Sequence, residues 1–144
     1  MKYNKNLLRN LFISKRKKKY LNQENFNFNL VFNLIKKYFF KKKIVIAGYY
    51  PSNHEVDILK FLEISENRNF KIALPVIGTS GDMCFKLWSF KEPLNINKFG
   101  ILEPRNQNRK IIPDLVMVPL VAFDKNMNRI GYGKGYYDRA LRKL

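Results

Sequence analysis

Residues 129–139, RIGYGKGYYDR, set glycines at 131, 133 and 135, a lysine at 134 and an aspartate at 138. Without a Cβ, such a run lets backbone N–H groups approach a ligand closely and adopt conformations closed to other residues. Successive N–H groups of this kind form an anion-binding concavity. Arg129, Lys134 and Arg139 bring full positive charge to the same place. Asp138 would oppose phosphate unless a cation lay between them, and Mg²⁺ commonly joins a carboxylate to phosphate oxygens. The chemistry is that of a nucleotide polyphosphate held by backbone, lysine and metal. Two familiar phosphate loops do not match. One requires a hydroxyl after its lysine, where Gly135 stands, and the dinucleotide fingerprint requires a glycine where Tyr136 stands. The plain alternative is a turn in which Asp138 merely favours the dipole of a following helix.

The elements that must position this loop follow from hydrophobic spacing. Residues 3–19 read as a basic helix with Leu7, Leu8, Leu11 and Phe12 at helical intervals. Asn22 suits the N-cap of a second helix over 23–40, with Phe26, Leu30, Leu34 and Phe39 along one face. KIVIAGYY (43–50) is a continuous apolar run, as in a strand covered on both faces. Pro51 ends it, and a helix over 54–66 follows. FKIALPV (70–76) and DLVMVP (114–119) are further buried strands, and CFKLWSF (84–90) alternates like a more exposed one. Gly78, Gly81 and Asp82 mark a loop, and prolines and a glycine break 92–113 into what reads mostly as loop. A last helix starts near Tyr136. Strands alternating with helices predict an α/β fold with a largely parallel sheet.

Composition narrows the function classes. A hydrophobic content of 46% with 12 Phe, 8 Tyr and one Trp argues against a disordered chain. The length suits a single domain over 1–144. A net charge of +17 attracts polyanions. The chain is also crowded with Lys and Asn, so much of that charge reads as background composition and nucleic acid is not the expected partner. One cysteine, Cys84, and one histidine, His54, exclude an internal disulfide and a His/Cys metal cluster, leaving oxygen ligands for any metal. No apolar run reaches membrane-spanning length and no apolar stretch follows the N-terminal charges, so the expectation is a cytoplasmic protein without a membrane partner.

The segment DLVMVPLVAFDKNMNRIGYGKGYYDR (114–139) resembles the signature of the 5-formyltetrahydrofolate cyclo-ligase (methenyltetrahydrofolate synthetase) family. Other pieces occur in the family's order: K-x-x-x-R (Lys5, Arg9), Y-x-P-x-x-x-E-V-D (Tyr49 to Asp57), A-L-P (73–75), D-M-x-F (82–85) and G-I-x-E-P (100–104). The resemblance covers essentially the whole chain. It implies a three-layer α/β sandwich related to ribose-phosphate isomerases and CoA transferases. It also implies an ATP- and Mg²⁺-dependent closure of 5-formyltetrahydrofolate, with or without a polyglutamate tail, to 5,10-methenyltetrahydrofolate, releasing ADP and phosphate from a monomeric enzyme.

Carried over residue by residue, the resemblance assigns Lys5 and Arg9 to ATP phosphates, one helical turn apart. It assigns Arg129, Ile130, Gly131, Tyr132, Gly133, Lys134, Gly135, Tyr136 and Tyr137 to the nucleotide, with Tyr132 to Tyr136 also beside the substrate. Tyr50 and Glu55 fall at positions lining the folate pocket, and Asp138 matches a magnesium ligand. Lys134 and Arg129 are the residues implied to stabilise charge on the transferring phosphoryl group. Ser52 to Glu55 is also a capping box, which offers Glu55 a purely structural role. Met83, Phe85 and Trp88 are candidates for packing near folate or for plain core.

Members of the family continue for several dozen residues past the loop and its helix and supply a second acidic metal ligand there. The resemblance therefore implies a C-terminally incomplete domain, with Asp114 or Asp124 as substitutes for the second acid. Leu120 stands where the family has glycine. An inactive folate- or nucleotide-binding fragment, or a basic nucleic-acid-binding protein, are the competing classes.

Overall fold

The computed structural model describes residues 4–20, 27–40 and 42–144. Four helices and nine strands occur among them: α1 (Lys5–Lys19), α2 (Asn29–Tyr38), β1 (Val45–Ala47), α3 (Leu59–Asn67), β2 (Lys71–Ile77), β3 (Met83–Trp88), β4 (Leu94–Ile96), β5 (Leu102–Pro104), β6 (Lys110–Ile111), β7 (Leu115–Val116), β8 (Ala122–Phe123), β9 (Arg129–Ile130) and α4 (Tyr136–Leu141). The central sheet runs β6-β3-β2-β1-β7. β1 pairs in parallel with β2 and β7, as the expected α/β pattern requires, and β3 and β6 extend the sheet antiparallel on the β2 side. The hairpin between β2 and β3 closes through Gly78 to Asp82, where the sequence places a loop.

Strand β1 is buried along its whole length, and its side chains divide between two cores. Ile44 and Ile46 join Phe32, Ile35, Phe61, Leu62 and Leu74 under α2 and α3. Val45 and Ala47 join Ala73 and Phe85 on the opposite face, against which Tyr137 of α4 packs. Helices on both faces of the sheet make the three-layer sandwich. Gly48 follows β1 because α3 lies so close: a Cβ there would sit 2.6 Å from a methyl of Leu62. Among the described residues no helix is long and apolar enough to cross a membrane.

Several boundaries depart from expectation. Asn22 and Phe26 lie outside the described residues, and α2 begins at Asn29, whose N–H is accepted by the Asn27 side chain at 2.9 Å. Its inward face is Phe32 and Ile35 with Phe28, Val31 and Phe39, while Leu30 and Leu34 are 74% and 54% exposed. The inward stripe is shifted by one residue, about 100° around the helix, from Leu30 and Leu34, and Phe39 is the predicted position it keeps. Helix α3 starts at Leu59, with the Asp57 carboxylate accepting its N–H at 2.8 Å, five residues later than predicted. Residues 92–113 hold a β4–β5 hairpin and the edge strand β6 rather than loop alone. In α1, Leu7 and Leu11 are exposed, and no residue of the helix is fully buried. The half-buried side is Leu8, Arg9, Phe12, Ile13 and Arg16.

Candidate active site

Parallel strands leave a crevice beyond their carboxyl ends, where ligands of open α/β sheets bind. Here a cavity of about 450 Å³ opens beyond the ends of β1 and β2, with Tyr49 and Tyr50 following β1 and Pro75 and Ile77 in β2. The residues that the family resemblance assigns to nucleotide, substrate or metal line it: Lys5 and Arg9 from α1, Tyr50 and Glu55 after β1, and Arg129 to Asp138. Four cations, Lys5, Arg9, Arg129 and Lys134, face two carboxylates, Glu55 and Asp138, within that lining.

The glycine loop leaves the β8–β9 hairpin, whose pairing of Ala122 with Ile130 and Phe123 with Arg129 fixes where it starts. Gly133 and Gly135 have φ of +95° and +67°, the left-handed region that side chains disfavour. A Cβ on Gly133 would also press within 3.2 Å of the Arg9 guanidinium carbon. Arg9 in turn donates from Nε to the Gly131 carbonyl at 2.8 Å. Helix α1 and the loop are therefore fitted to each other, and the bareness of the loop is what admits the arginine. Gly135 caps α4, and Arg139 donates to the Lys134 carbonyl at 3.0 Å. That directs Arg139 at the loop's own backbone, leaving Lys134 as the exposed loop cation beside the cavity.

Glu55 is only 5% exposed. Its carboxylate accepts from the Ser52 backbone N–H at 2.9 Å and from the Ser52 hydroxyl at 3.3 Å, while its own N–H donates to the Ser52 carbonyl at 2.9 Å. The bond from the Ser52 N–H to the carboxylate is one half of a capping box, but the Ser52 hydroxyl donates to Glu55 instead of accepting from its N–H, and the contacts close a turn that lies ahead of α3 rather than starting the helix. At the turn's tip Asn53 and His54 both hold positive φ, +48° and +60°. Adjacent left-handed residues with side chains cost about 1–3 kcal/mol each, and such strain clusters at functional sites. The turn carries Glu55 in among three phenols. Burial raises the pKa values of Tyr49, Tyr132 and Tyr137, and the Glu55 charge raises each further. Tyr49 donates to the Val56 carbonyl at 3.0 Å, whereas the buried Tyr137 hydroxyl has no hydrogen-bond partner among the described residues.

Asp138 is ion-paired with Arg129, the carboxylate 65% exposed and the guanidinium 24%. Among the described residues no group of three His, Cys, Asp or Glu side chains could hold a metal. The two substitutes for a second acid lie elsewhere. Asp114 accepts from the Val45 N–H at 2.8 Å and ties β7 to β1, and Asp124 closes the β8–β9 turn through Asn126 and Asn128. Neither lines the cavity. Of the candidates for packing near folate only Met83 lines it. Phe85 is core, and Trp88 packs on Phe90 with its ring N–H donated to the Glu92 carbonyl.

Sequence reasoning missed three contributors. Asn97 and Phe99, just after β4, line the cavity, with the Phe99 ring 6.2 Å from that of Tyr136. Tyr49 lines the wall beside Tyr50. The signal for Asn97 and Phe99 was the apolar alternation of LNINKF, hidden between Pro93 and Gly100.

The description of the family model that matches residues 1–144 is the 5-formyltetrahydrofolate cyclo-ligase family. The chain belongs to that family. It is 34% identical over 103 residues to a 5-formyltetrahydrofolate cyclo-ligase of Haemophilus influenzae, covering 67% of this chain and 55% of the relative. It is 43% identical over 72 residues to a probable 5-formyltetrahydrofolate cyclo-ligase of Schizosaccharomyces pombe, covering 46% of this chain and 35% of the relative. The chain thus spans between about a third and just over half of these relatives' length. Among solved structures, a 5,10-methenyltetrahydrofolate synthetase of Aquifex aeolicus superposes with a TM-score of 0.71 at 28% identity, covering 97% of this chain and 73% of that one. One from Mycoplasma pneumoniae gives 0.62 at 26% identity, over 98% and 79%. The α/β architecture expected from the sequence is that of these neighbours.

Proposed function

We propose that this cyclo-ligase-family domain carries out ATP-dependent cyclisation of 5-formyltetrahydrofolate to 5,10-methenyltetrahydrofolate. The observation that carries the reading is convergence: α1, the turn at 52–55 and the glycine loop, distant in sequence, bring their chemistry to one cavity. In the first step the formyl oxygen attacks the γ-phosphorus of ATP, forming a P–O bond as ADP leaves. N10 of the folate then attacks the activated formyl carbon and loses its proton, the C–O bond breaks, and phosphate departs. Such transfers depend on positioning and charge neutralisation rather than a protein nucleophile. Lys134, Arg9 and Lys5 would neutralise phosphate charge, the loop N–H groups would orient it, and Arg129 would stand beside the transferring group. Glu55 suits the paired ring N–H and amino donors of the pterin, and the unpartnered Tyr137 hydroxyl offers a further hydrogen bond. Satisfying a buried polar group of that kind relieves about 1–3 kcal/mol.

Mg²⁺ keeps several waters and binds through one or two carboxylates plus substrate phosphates. Asp138 fits that mode, with Arg129 engaging one of its oxygens. An ion there would neutralise phosphate charge and be held mainly by the nucleotide. A polyglutamate tail on the folate and a monomeric state complete the reading.

Absorbance of the methenyl product, followed with 5-formyltetrahydrofolate, ATP and Mg²⁺, tests it. ATP-dependent turnover is expected, with Lys134→Ala losing about 1.5–3 kcal/mol of ATP binding and keeping its melting temperature. Binding of both ligands without turnover would leave a binding domain only. A folded chain that binds neither would refute the reading.

A further inference from the structure

Arg16 belongs to the basic run at the end of α1, where it looks like one more solvated cation among Lys15, Lys17, Lys18 and Lys19. Its geometry is different from theirs. Nη1 donates to the Leu120 carbonyl at 3.0 Å, and Nη2 donates to the Asn53 carbonyl at 2.8 Å and to the Tyr132 hydroxyl. The guanidinium carbon lies 5.7 Å from the Tyr132 ring centroid, within cation–π range. One side chain thus joins four pieces of chain: α1, the strained turn that bears Glu55, the segment entering β8, and the glycine loop. A planar fork with several fixed donors can do this, and a lysine ammonium at the end of a flexible stem cannot. Arg9, two helical turns earlier on the same side, grips the same loop at Gly131.

We propose that Arg16 is a positioning residue for the reaction, locking Tyr132 and the Asn53 turn together so that the phenol and Glu55 meet the folate in register. The substrate half of this proposal rests on the function proposed above. Arg16 does not line the cavity, so it acts through Tyr132 and the turn rather than by touching ligand. The loss of Arg16 should therefore weaken folate more than nucleotide, because Arg9 still ties α1, with its Lys5, to the glycine loop at Gly131.

Two measurements separate this from a role in merely holding α1 in place. In calorimetric titration with 5-formyltetrahydrofolate, Arg16→Lys should lose about tenfold in affinity, the scale of one charge-assisted hydrogen bond. Tyr132→Phe should lose a similar factor, and the double variant little more than either alone. The neighbouring Lys17→Gln, which removes a full charge that Arg16→Lys keeps, should bind as wild type. If the two losses multiply, or if ATP and folate weaken equally as the melting temperature falls, Arg16 is only an anchor for the helix and the proposal fails.

The second measurement needs no ligand. With 3-fluorotyrosine at position 132, the ¹⁹F resonance reports the phenol's titration. Arg16 donates to the phenol oxygen and favours its charged form, so Arg16→Gln should move the titration to higher pH. A resonance indifferent to Arg16 defeats the positioning claim whatever the ligand results. A wild-type chain that binds no 5-formyltetrahydrofolate, while the resonance responds to Arg16, defeats the proposed function and the substrate half of this proposal, leaving the positioning of Tyr132.

Discussion

Helices α3 and α1 face the same small domain and are attached to it by opposite means. Helix α3 buries Phe61, Leu62 and Ser65, and the Phe61 ring stacks with Phe28 and Phe32 at 5.2 and 5.0 Å. Helix α1 buries nothing fully and is held through Arg9 and Arg16, which donate to backbone carbonyls and to a phenol. Apolar packing is non-directional and scales with area, at about 25 cal/mol per Å². Hydrogen bonds from a guanidinium are directional and contribute about 1.5–3 kcal/mol each at most. The difference matches the two jobs. A helix that supports the sheet gains from close packing, whereas α1, which brings Lys5 and Arg9 to the cavity, sets two arginines among the apolar residues of its inner face.

The contrast can be broken at its strong end. Phe61→Ala removes a fully buried ring from the α2–α3 core and should cost about 3–5 kcal/mol in denaturant unfolding. A loss below about 1 kcal/mol would mean that this face is not the main core. At the polar end, Gly133→Ala places a methyl on a residue with φ of +95° and against the Arg9 guanidinium. The left-handed backbone alone costs about 1–2 kcal/mol, and Arg9 must move. The expected result is a modest fall in stability with a larger fall in ATP affinity than in folate affinity, read by calorimetry of both. Equal affinity for ATP before and after would show that Arg9 and the loop are not coupled.

The same contrast explains what was legible in the sequence. The glycine loop could be read because its chemistry is consecutive: the glycines, lysine and acid lie within nine residues, and tertiary packing cannot rearrange their order. The buried strand around Val45–Ala47 announced itself through a continuous apolar run, since both of its faces are covered. The face of α1 was half read: Leu8 and Phe12 lie on its inward side, but periodicity counts apolar residues, and this helix also docks through arginines onto carbonyls. Leu7 and Leu11 completed the pattern and ended up in solvent. Arg16 carried one faint signal, its seven-residue spacing from Arg9, which the surrounding lysine run conceals. The motif at 52–55 was half legible. Glu55 reaches back to the Ser52 N–H as predicted, but the Ser52 hydroxyl does not cap the Glu55 N–H, and whether a helix follows at once depends on φ at Asn53 and His54.

Glu55 offers the smallest and sharpest test. Glu55→Gln keeps a carbonyl oxygen for the Ser52 N–H and hydroxyl, so the turn should survive with less than about 1 kcal/mol lost, under what a missing helix cap would cost. On the proposed function folate affinity should fall nevertheless, because the charge proposed to meet the pterin is gone. Unchanged folate affinity with about 1 kcal/mol lost would leave Glu55 a purely structural closure of its turn. The charge also has a second reporter in the tyrosines. Burial first, and Glu55 next, hold Tyr49, Tyr132 and Tyr137 above the ordinary phenol value of about 10. Groups whose folded pKa is raised add stability that is complete below the unfolded pKa. As pH rises past about 10 the unfolded chain loses these protons first, and stability falls until the folded phenols ionise as well. Removing the Glu55 charge lowers the folded values toward the unfolded one while burial still keeps them raised. Tyr49 and Tyr137 are raised so far that they keep their protons between about pH 9 and 11 with or without the Glu55 charge, so the effect is read at Tyr132, whose titration in the folded chain should move to lower pH in Glu55→Gln. An unchanged Tyr132 titration would mean that the carboxylate does not sense that phenol, and that the turn does not deliver Glu55 to the cavity wall where they meet.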